Sequence, residues 1–468
     1  MSFSNLFFPF VFLPISLLLY VVMPKKGKNI VLLVCSLVFF AWGTPEYILL
    51  LILSILFNYC SGSLIAAQVA EGKSARFTLW TAVIANLLLL GFYKYYGFLL
   101  DNVNAIFHTG LSARALPAPI GVSFFTFSIL SYLFDVYRGK APEKQNLLDF
   151  SLYVTFFPKL VSGPIVQYKD FAPQLPDHPM TKELLGSGAR RFVVGLAKKV
   201  LIANTLGLTF YKVSALPTAQ VSVMTAWLGA IGYTLMLYFD FSGYSDMAIG
   251  IAEMFGFRID KNFDYPYLSG SITEFWRRWH ISLGAWFRDY VYIPLGGSRE
   301  GDGRTIRNLM IVWLLTGIWH GANWTFIVWG LYHGLLLLLE KFLFKAALDK
   351  TPQVLKRILT LLLVVIGWVF FFSDSLGMAL SWIGRMFGAG HAPFLDAAGR
   401  YYWGASWLVL LFAAVGSTPI PATVGNNLLR SKSKGVLIAC TAVLAVLFLL
   451  CLAGMMSDTY SSFLYFQF

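Results

Sequence analysis

Charge is scarce in this chain. Only 13% of its 468 residues are Asp, Glu, Lys or Arg, whereas a soluble domain carries about 25%. With 57% hydrophobic and 17% aromatic residues, that deficit excludes an ordinary water-soluble enzyme. Cysteine is nearly absent as well. Cys35, Cys60, Cys440 and Cys451 all fall in apolar runs, too far apart for a zinc motif and in surroundings where thiols rarely pair. No basic residue precedes the first apolar run, so that run reads as a retained first span and not as a secretory signal peptide. The chain has no G-x-S-x-G elbow, no H-E-x-x-H and no glycine-rich phosphate loop. No two histidines share a helix at metal-ligand spacing, so no metal site is expected. An internal repeat, the signature of many transporter folds, is also missing.

What is present is a series of apolar runs near twenty residues long, such as "YILLLILSILFNYCSGSLIAA" (47–67). The runs are continuous rather than alternating, which selects membrane helices over a barrel. The expected fold class is therefore all-α, a polytopic membrane protein forming one domain over residues 1–468. The net charge of +13 reads first as positive-inside loop bias. Residues 5–23 form a first span, with Lys25, Lys26 and Lys28 in the cytoplasm. Residues 29–42, 47–67, 77–99 and 118–137 alternate after it, the last ending at the basic "YRGKAPEK". The apolar stretch 147–168 is broken by Pro158, Lys159, Gly163 and Pro164. It reads as a re-entrant or interfacial element, because a full span there would invert everything downstream. Residues 189–213 and 221–255 run out and back, and 256–307 form a long cytoplasmic segment. Residues 308–339 form an in-and-back hairpin with a break at 317–323. Spans at 355–373, 402–420 and 435–456 complete about twelve crossings, with both termini outside.

The hairpin tip, "LLTGIWHGANWTFIVWGLYHG" (314–334), carries the sharpest signal. Gly317, Gly321 and Asn323 are poor helix-interior residues, so the helix should break there. That leaves His320 at a break inside the membrane, framed by Trp319 and Trp324. Ionisable residues at that depth mark a pathway or an active site; the bland alternative is a structural histidine bonded to a neighbouring carbonyl. His333, nearer the expected cytoplasmic end of the second arm, reads as a packing or interface residue. His108, His178 and His391 fall in polar loops and carry no assigned role.

Two further stretches hold polar groups. In "SITEFWRRWHISLGAWFRDYVYIPLGG" (271–297), Trp276, Trp279, His280, Leu283, Phe287 and Tyr290 recur at steps of three and four, predicting one helix with an apolar face. His280 lies on that face, while Arg277, Arg278 and Arg288 point to water or a ligand; taken alone, the segment reads first as an amphipathic interface helix with snorkelling arginines. Glu274 and Arg278 form a favourable i,i+4 pair. In "YFDFSGYSDMAIG" (238–250), Asp240 and Asp246 sit in a span, so each must be paired, protonated or facing a cavity.

These groups suit a spare chemistry. A buried imidazole favours its neutral, proton-accepting form. His320 would deprotonate a hydroxyl that attacks an activated acyl carbon such as a thioester. Arg277, Arg278 and Arg288 would suit the phosphates of a coenzyme. Asn323 or glycine amides would face the developing oxyanion. Trp319, Asp240 and Asp246 complete the set of candidate donor-binding residues. A different class, a transporter or channel relaying ions through buried His and Asp, would need paired discontinuous helices in two related halves, which the sequence does not show.

Five segments carry a family resemblance: "PIGVSFFTFSILSYLFDVYRG" (119–139), "FFPKLVSGPI" (156–165), "YFDFSGYSDMAIG" (238–250), "FWRRWHISLGAWFRDYVYIPLGG" (275–297) and "GIWHGANWTFIVWGLYHG" (317–334), with the closing "FLYFQF" (463–468). Together they resemble the membrane-bound O-acyltransferase superfamily, in its alginate O-acetylation branch. The resemblance implies a central tunnel with His320 as the essential histidine and His280 as the assisting one. Many superfamily members carry asparagine at that second position. It also implies a cytoplasmic acetyl donor, acetyl-CoA, with no permanently bound cofactor. Periplasmic acetyltransferase partners and a polysaccharide synthase complex in a bacterial inner membrane would complete O-acetylation of an exopolysaccharide such as alginate or cellulose. Peptidoglycan or another envelope glycan is the nearest rival acceptor. No role carries over onto 374–401.

Overall fold

The apolar runs fold as helices. The computed structural model describes residues 2–112, 117–141 and 146–457, and no strand occurs among the described residues. The closing "FLYFQF" and Lys144 lie outside them. Among the described residues, seven helices are long and apolar enough to cross a membrane: Lys25–Gly43, Pro45–Ala70, Arg76–Phe107, Lys182–Ser214, Trp324–Lys350, Gln353–Phe372 and Lys434–Ser457. The pair Ala397–Gly416 and Ile420–Leu429, bent by 64°, brings the number to eight if it counts as one span. Phe8–Val22 and Val122–Tyr137 are shorter apolar helices. Many large apolar side chains on the long helices are exposed, as Leu49, Leu88, Val354 and Leu449 are. That is the surface expected against lipid. The protein is thus an all-helical, multi-pass membrane protein.

The chain divides into two compact units. The first comprises Met1–Phe192 and Met247–Asp260. Its core includes Phe8, Phe12, Phe39 and Phe157, whose ring centroids lie 5.3 to 6.4 Å apart. Helices Ile48–Ala70 and Arg76–Phe107 are joined by reciprocal amide bonds between Asn58 and Asn86, at 3.1 and 2.7 Å. Such bonds satisfy polar groups that lipid cannot. The stretch read above as a re-entrant or interfacial element holds two helices, Leu147–Thr155 and Phe157–Leu160, broken at Phe156 beside Pro158. Lys159 is buried in it, with Nζ donating to Ser128 Oγ at 2.9 Å and lying 4.1 Å from the Tyr153 ring centre.

His178, given no role above, is a hub of this unit. It is buried, its Nδ1 lies 2.6 Å from Tyr20 Oη, its Nε2 lies 2.6 Å from Asn29 Oδ1, and its ring stacks on Phe257. It borders a cavity of about 690 Å³ that is also lined by Lys25, Lys26, Lys28 and Asp149.

The second unit comprises Val193–Asp246 and Lys261–Phe468. Its core is rich in tryptophan: Trp279, Trp313, Trp329, Trp368 and Trp382 are all buried. Asp240 and Asp246 are both ion-paired here. Lys199 Nζ meets Asp240 at 2.5 Å, and Lys198 Nζ meets Asp246 at 2.7 Å. The two lysines open a π-helical turn, Lys198–Ala203, inside Lys182–Ser214. Gly243 lets the backbones approach, since a Cβ there would lie 2.7 Å from the Gly195 carbonyl oxygen. The four cysteines are free, with Cys35 and Cys451 buried.

Candidate functional site

The hairpin predicted at 308–339 is present, with a shorter break than expected. Its first arm, Asp302–His320, ends on His320 itself. Gly321 then leaves the helix in extended conformation, and Trp324–Leu339 begins after an Asn323 cap. Gly317 is a correction. It does not loosen the helix; it lies inside the first arm where the two arms cross. A Cβ at Gly317 would stand 2.5 Å from the Phe326 carbonyl oxygen, and one at Gly330 would collide with the Trp313 carbonyl oxygen. The break is set at 321–323 because Asn323 caps the second arm. Its Oδ1 accepts from the Thr325 amide at 3.0 Å, and its Nδ2 donates to the Asp374 carbonyl at 2.9 Å.

His320 is 4% exposed. Its ring meets Trp329 edge-on at 4.9 Å and Phe371 at 5.2 Å. Trp319 also meets it edge-on, with ring centroids 4.8 Å apart. The Trp319 ring in turn lies 6.1 Å from that of His280. The two histidines predicted to act together are therefore both buried and both flank one indole. Phe371 and Trp329, which complete the wall, were not singled out by sequence; only their aromatic character hinted at them.

The segment around His280 differs from expectation. One helix was predicted through 271–293. The structure has two short ones, Ile272–Arg278 and Ile281–Phe287, with His280 between them at φ 45° and ψ 54°. That left-handed conformation is uncommon outside glycine, asparagine and aspartate, and it clusters at functional sites. The physical reason is non-local. The extended stretch around Asn262 takes over backbone bonds on both sides of the break: Asp264 N–H donates to the Arg278 carbonyl, and Ile281 N–H to the Asn262 carbonyl, both at 2.9 Å. The first short helix is held in place by side chains. Ser271 caps it through the Glu274 amide, Glu274 accepts from Gly270 N–H at 2.7 Å, and Glu340 accepts from the amides of Ile272 and Thr273.

Burial pushes the His280 imidazole down to about 3, so it is neutral at physiological pH. Phe241 covers it edge-on at 4.7 Å. His333 is wholly buried, and its Nδ1 accepts from Trp276 Nε1 at 3.3 Å, in keeping with its reading as a packing residue. The arginines lie apart from the histidines in character. Arg277 and Arg288 are exposed, and Arg288 pairs with Asp289 at 2.8 Å. Arg278 pairs with Glu274 at 2.6 Å, the i,i+4 bridge expected. Asn262 is 1% exposed and bonds the His280 loop through both side chain and backbone. No local pattern pointed to it, because its partners are far along the chain.

Comparison with known proteins bears on this arrangement. The family model described as MBOAT, membrane-bound O-acyltransferase family, matches residues 37–382. The chain is similar to a probable alginate O-acetylase of Pseudomonas putida, 40% identical over 490 residues, covering 100% of both chains. It is similar to a probable alginate O-acetylase of Pseudomonas syringae, 46% identical over 393 residues, covering 83% of this chain and 75% of the relative. A peptidoglycan O-acetyltransferase of Helicobacter pylori is 36% identical over 422 residues, covering 82% of this chain and 80% of the relative.

Proposed function

The chain belongs to the membrane-bound O-acyltransferase family and is an acyltransferase; from that premise we propose that it carries an acetyl group from a cytoplasmic thioester, acetyl-CoA, across the membrane toward O-acetylation of an exopolysaccharide. The observation that carries the reading is the placement of His320. It is a nearly inaccessible imidazole at the end of an apolar hairpin arm, with a second buried histidine beyond Trp319. A ring so enclosed is suited to accept a proton from a hydroxyl. In the step proposed, the hydroxyl oxygen bonds to the acyl carbon as the carbon–sulfur bond breaks. His320 takes the hydroxyl proton and returns it to the departing thiolate.

The acetyl group and the polysaccharide acceptor are supported by the names of the relatives, two probable alginate O-acetylases and a peptidoglycan O-acetyltransferase. Alginate- or cellulose-like polymers are the first choice, and peptidoglycan or another envelope glycan the second, favoured by the Helicobacter relative. An inner-membrane location, periplasmic acetyltransferase partners and a synthase complex belong to the same proposal. The exposed Arg277 and Arg288 are offered as contacts for coenzyme phosphates.

Purified protein in detergent, given acetyl-CoA, should release coenzyme A. The His320→Ala variant should do so slower by roughly 10² to 10⁴-fold. Equal turnover in the two proteins would remove the mechanism.

A further inference from the structure

Asn262 makes four contacts that together dictate a proton position. Its Oδ1 accepts from the Ser282 backbone N–H at 3.1 Å and from Ser282 Oγ at 2.9 Å. Its Nδ2 donates to Ser245 Oγ at 3.2 Å. The backbone N–H can only donate, so the atom facing it must be the amide oxygen. That settles which way the amide points. The same Oδ1 lies 3.2 Å from His280 Nδ1. An amide oxygen can only accept, and two lone pairs facing each other in a site only 2% exposed at His280 and 1% at Asn262 would be repulsive and unsolvated. Nδ1 must therefore carry the hydrogen, and a neutral imidazole with Nδ1–H has its lone pair on Nε2.

We infer that Asn262 is a positioning residue that locks His280 in the Nδ1–H tautomer, so that Nε2 is the ring's only proton acceptor. The same residue fixes the ring's backbone. Its carbonyl takes the Ile281 N–H at 2.9 Å, directly after the left-handed His280. One side chain and one carbonyl thus hold both the strained loop and the protonation pattern of the imidazole it presents. That His280 serves acyl transfer rests on the function proposed above; the tautomer does not.

The test separates the two. Solid-state ¹⁵N NMR of histidine-labelled protein reports six histidines, and the signal absent from His280→Asn identifies His280. The expected result is a protonated-type Nδ1 and a bare-type Nε2. Asn262→Asp, which keeps an acceptor oxygen, should preserve that pattern. Asn262→Leu should lose it, and coenzyme A release should fall by about a hundredfold if the ring is misplaced, with Asn262→Asp restoring most of it. A wild-type His280 carrying its hydrogen on Nε2 would overturn the inference even if Asn262→Leu were inactive or failed to fold. If the tautomer is as assigned but His280→Ala turns over acetyl-CoA at the wild-type rate, the inference stands and the role of His280 in acyl transfer falls.

Discussion

Lys199 and Asp240 face each other at 2.5 Å with each side chain only 4% exposed. Six residues further along the same acidic helix, Asp246 meets Lys198 at 2.7 Å, with both partners about a fifth exposed. Two adjacent lysines thus answer two carboxylates across one close crossing, at Gly243. The pairs explain how the helix Val223–Met254 tolerates two aspartates: neither is left as a bare charge in surroundings that penalise it. A relay of free carboxylates, as a channel would need, is not what these residues form.

Breaking the inner pair should cost more than breaking the outer one. Asp240→Asn leaves a lysine ammonium buried without its counter-charge, at about 3 kcal/mol or more. Asp246→Asn leaves Lys198 with access to solvent and should cost about 1 kcal/mol or less. Thermal unfolding of the purified variants in detergent checks the ranking. The double replacement Lys199→Met with Asp240→Leu should recover much of the single loss. If Asp240→Asn melts with the wild type, the pair is not a stabilising element.

The hairpin crossing makes a second prediction. Gly330→Ala drives a methyl into the Trp313 carbonyl, and backbone cannot yield as a flexible side chain does. The arms must separate, at a cost of about 1 to 3 kcal/mol, and His320 moves with its arm. Coenzyme A release should drop by tenfold or more. Gly404→Ala is the contrast, because a Cβ there meets nothing within 4 Å. In a helix interior that change should be neutral or stabilising by up to about 1 kcal/mol. Equal behaviour of the two variants would mean that the crossing is not tight.

Much of this was legible in local pattern. The all-helical, multi-pass class, the interrupted stretch at 147–168 and a break beside His320 follow from apolar runs and from Pro, Gly and Asn placement. Against the twelve crossings expected, seven helices among the described residues, or eight with the bent pair, are long and apolar enough to span. The features missed share one cause, which is that they are set by residues distant in the chain. Trp276, Trp279, His280 and Leu283 keep helical spacing, so nothing local announces that Asn262 and Asp264 interrupt the helix between them. Gly317 reads as a breaker from sequence because its other use, close approach of a second arm, needs Phe326 and Ile327 to be known. His178 looks like a loop histidine until Tyr20, Asn29 and Phe257 are folded around it.

His178 gives a pH prediction in a loop outside the spans. Burial holds its imidazole below the ordinary 6.5, with Lys28 pushing the same way, and the Phe255 carbonyl and Asp177 opposing. Above pH 6.5 the ring is neutral in both folded and unfolded chains, and its contribution is constant. Below 6.5 the unfolded chain takes up a proton that the folded one resists. Stability therefore falls as pH drops from 6.5 toward the depressed value. The His178→Phe variant, which keeps the ring against Phe257, should start less stable because Tyr20 and Asn29 lose a partner. Its melting temperature should then decline less steeply between pH 6.5 and 5. Parallel slopes for the two proteins would show that His178 does not titrate in this way.

The backbone at His280 orders a final set of variants. A left-handed φ costs an ordinary side chain about 1 to 2 kcal/mol, while asparagine visits that region readily. His280→Asn should therefore keep the loop, and with it the bonds from Ile281 and Ser282 to Asn262. His280→Ala should lose the ring and strain the turn. Neither removes the imidazole at the hairpin break, so both should retain more acetyl transfer than His320→Ala. The expected order of coenzyme A release is wild type, then His280→Asn, then His280→Ala, then His320→Ala, with melting temperatures of the first two close together and His280→Ala lower. If His280→Ala proved more stable than His280→Asn, the left-handed turn would not be the constraint at this position. If His280→Ala were more damaging to turnover than His320→Ala while still folded, the leading base would have to be reassigned to the ring that Asn262 holds.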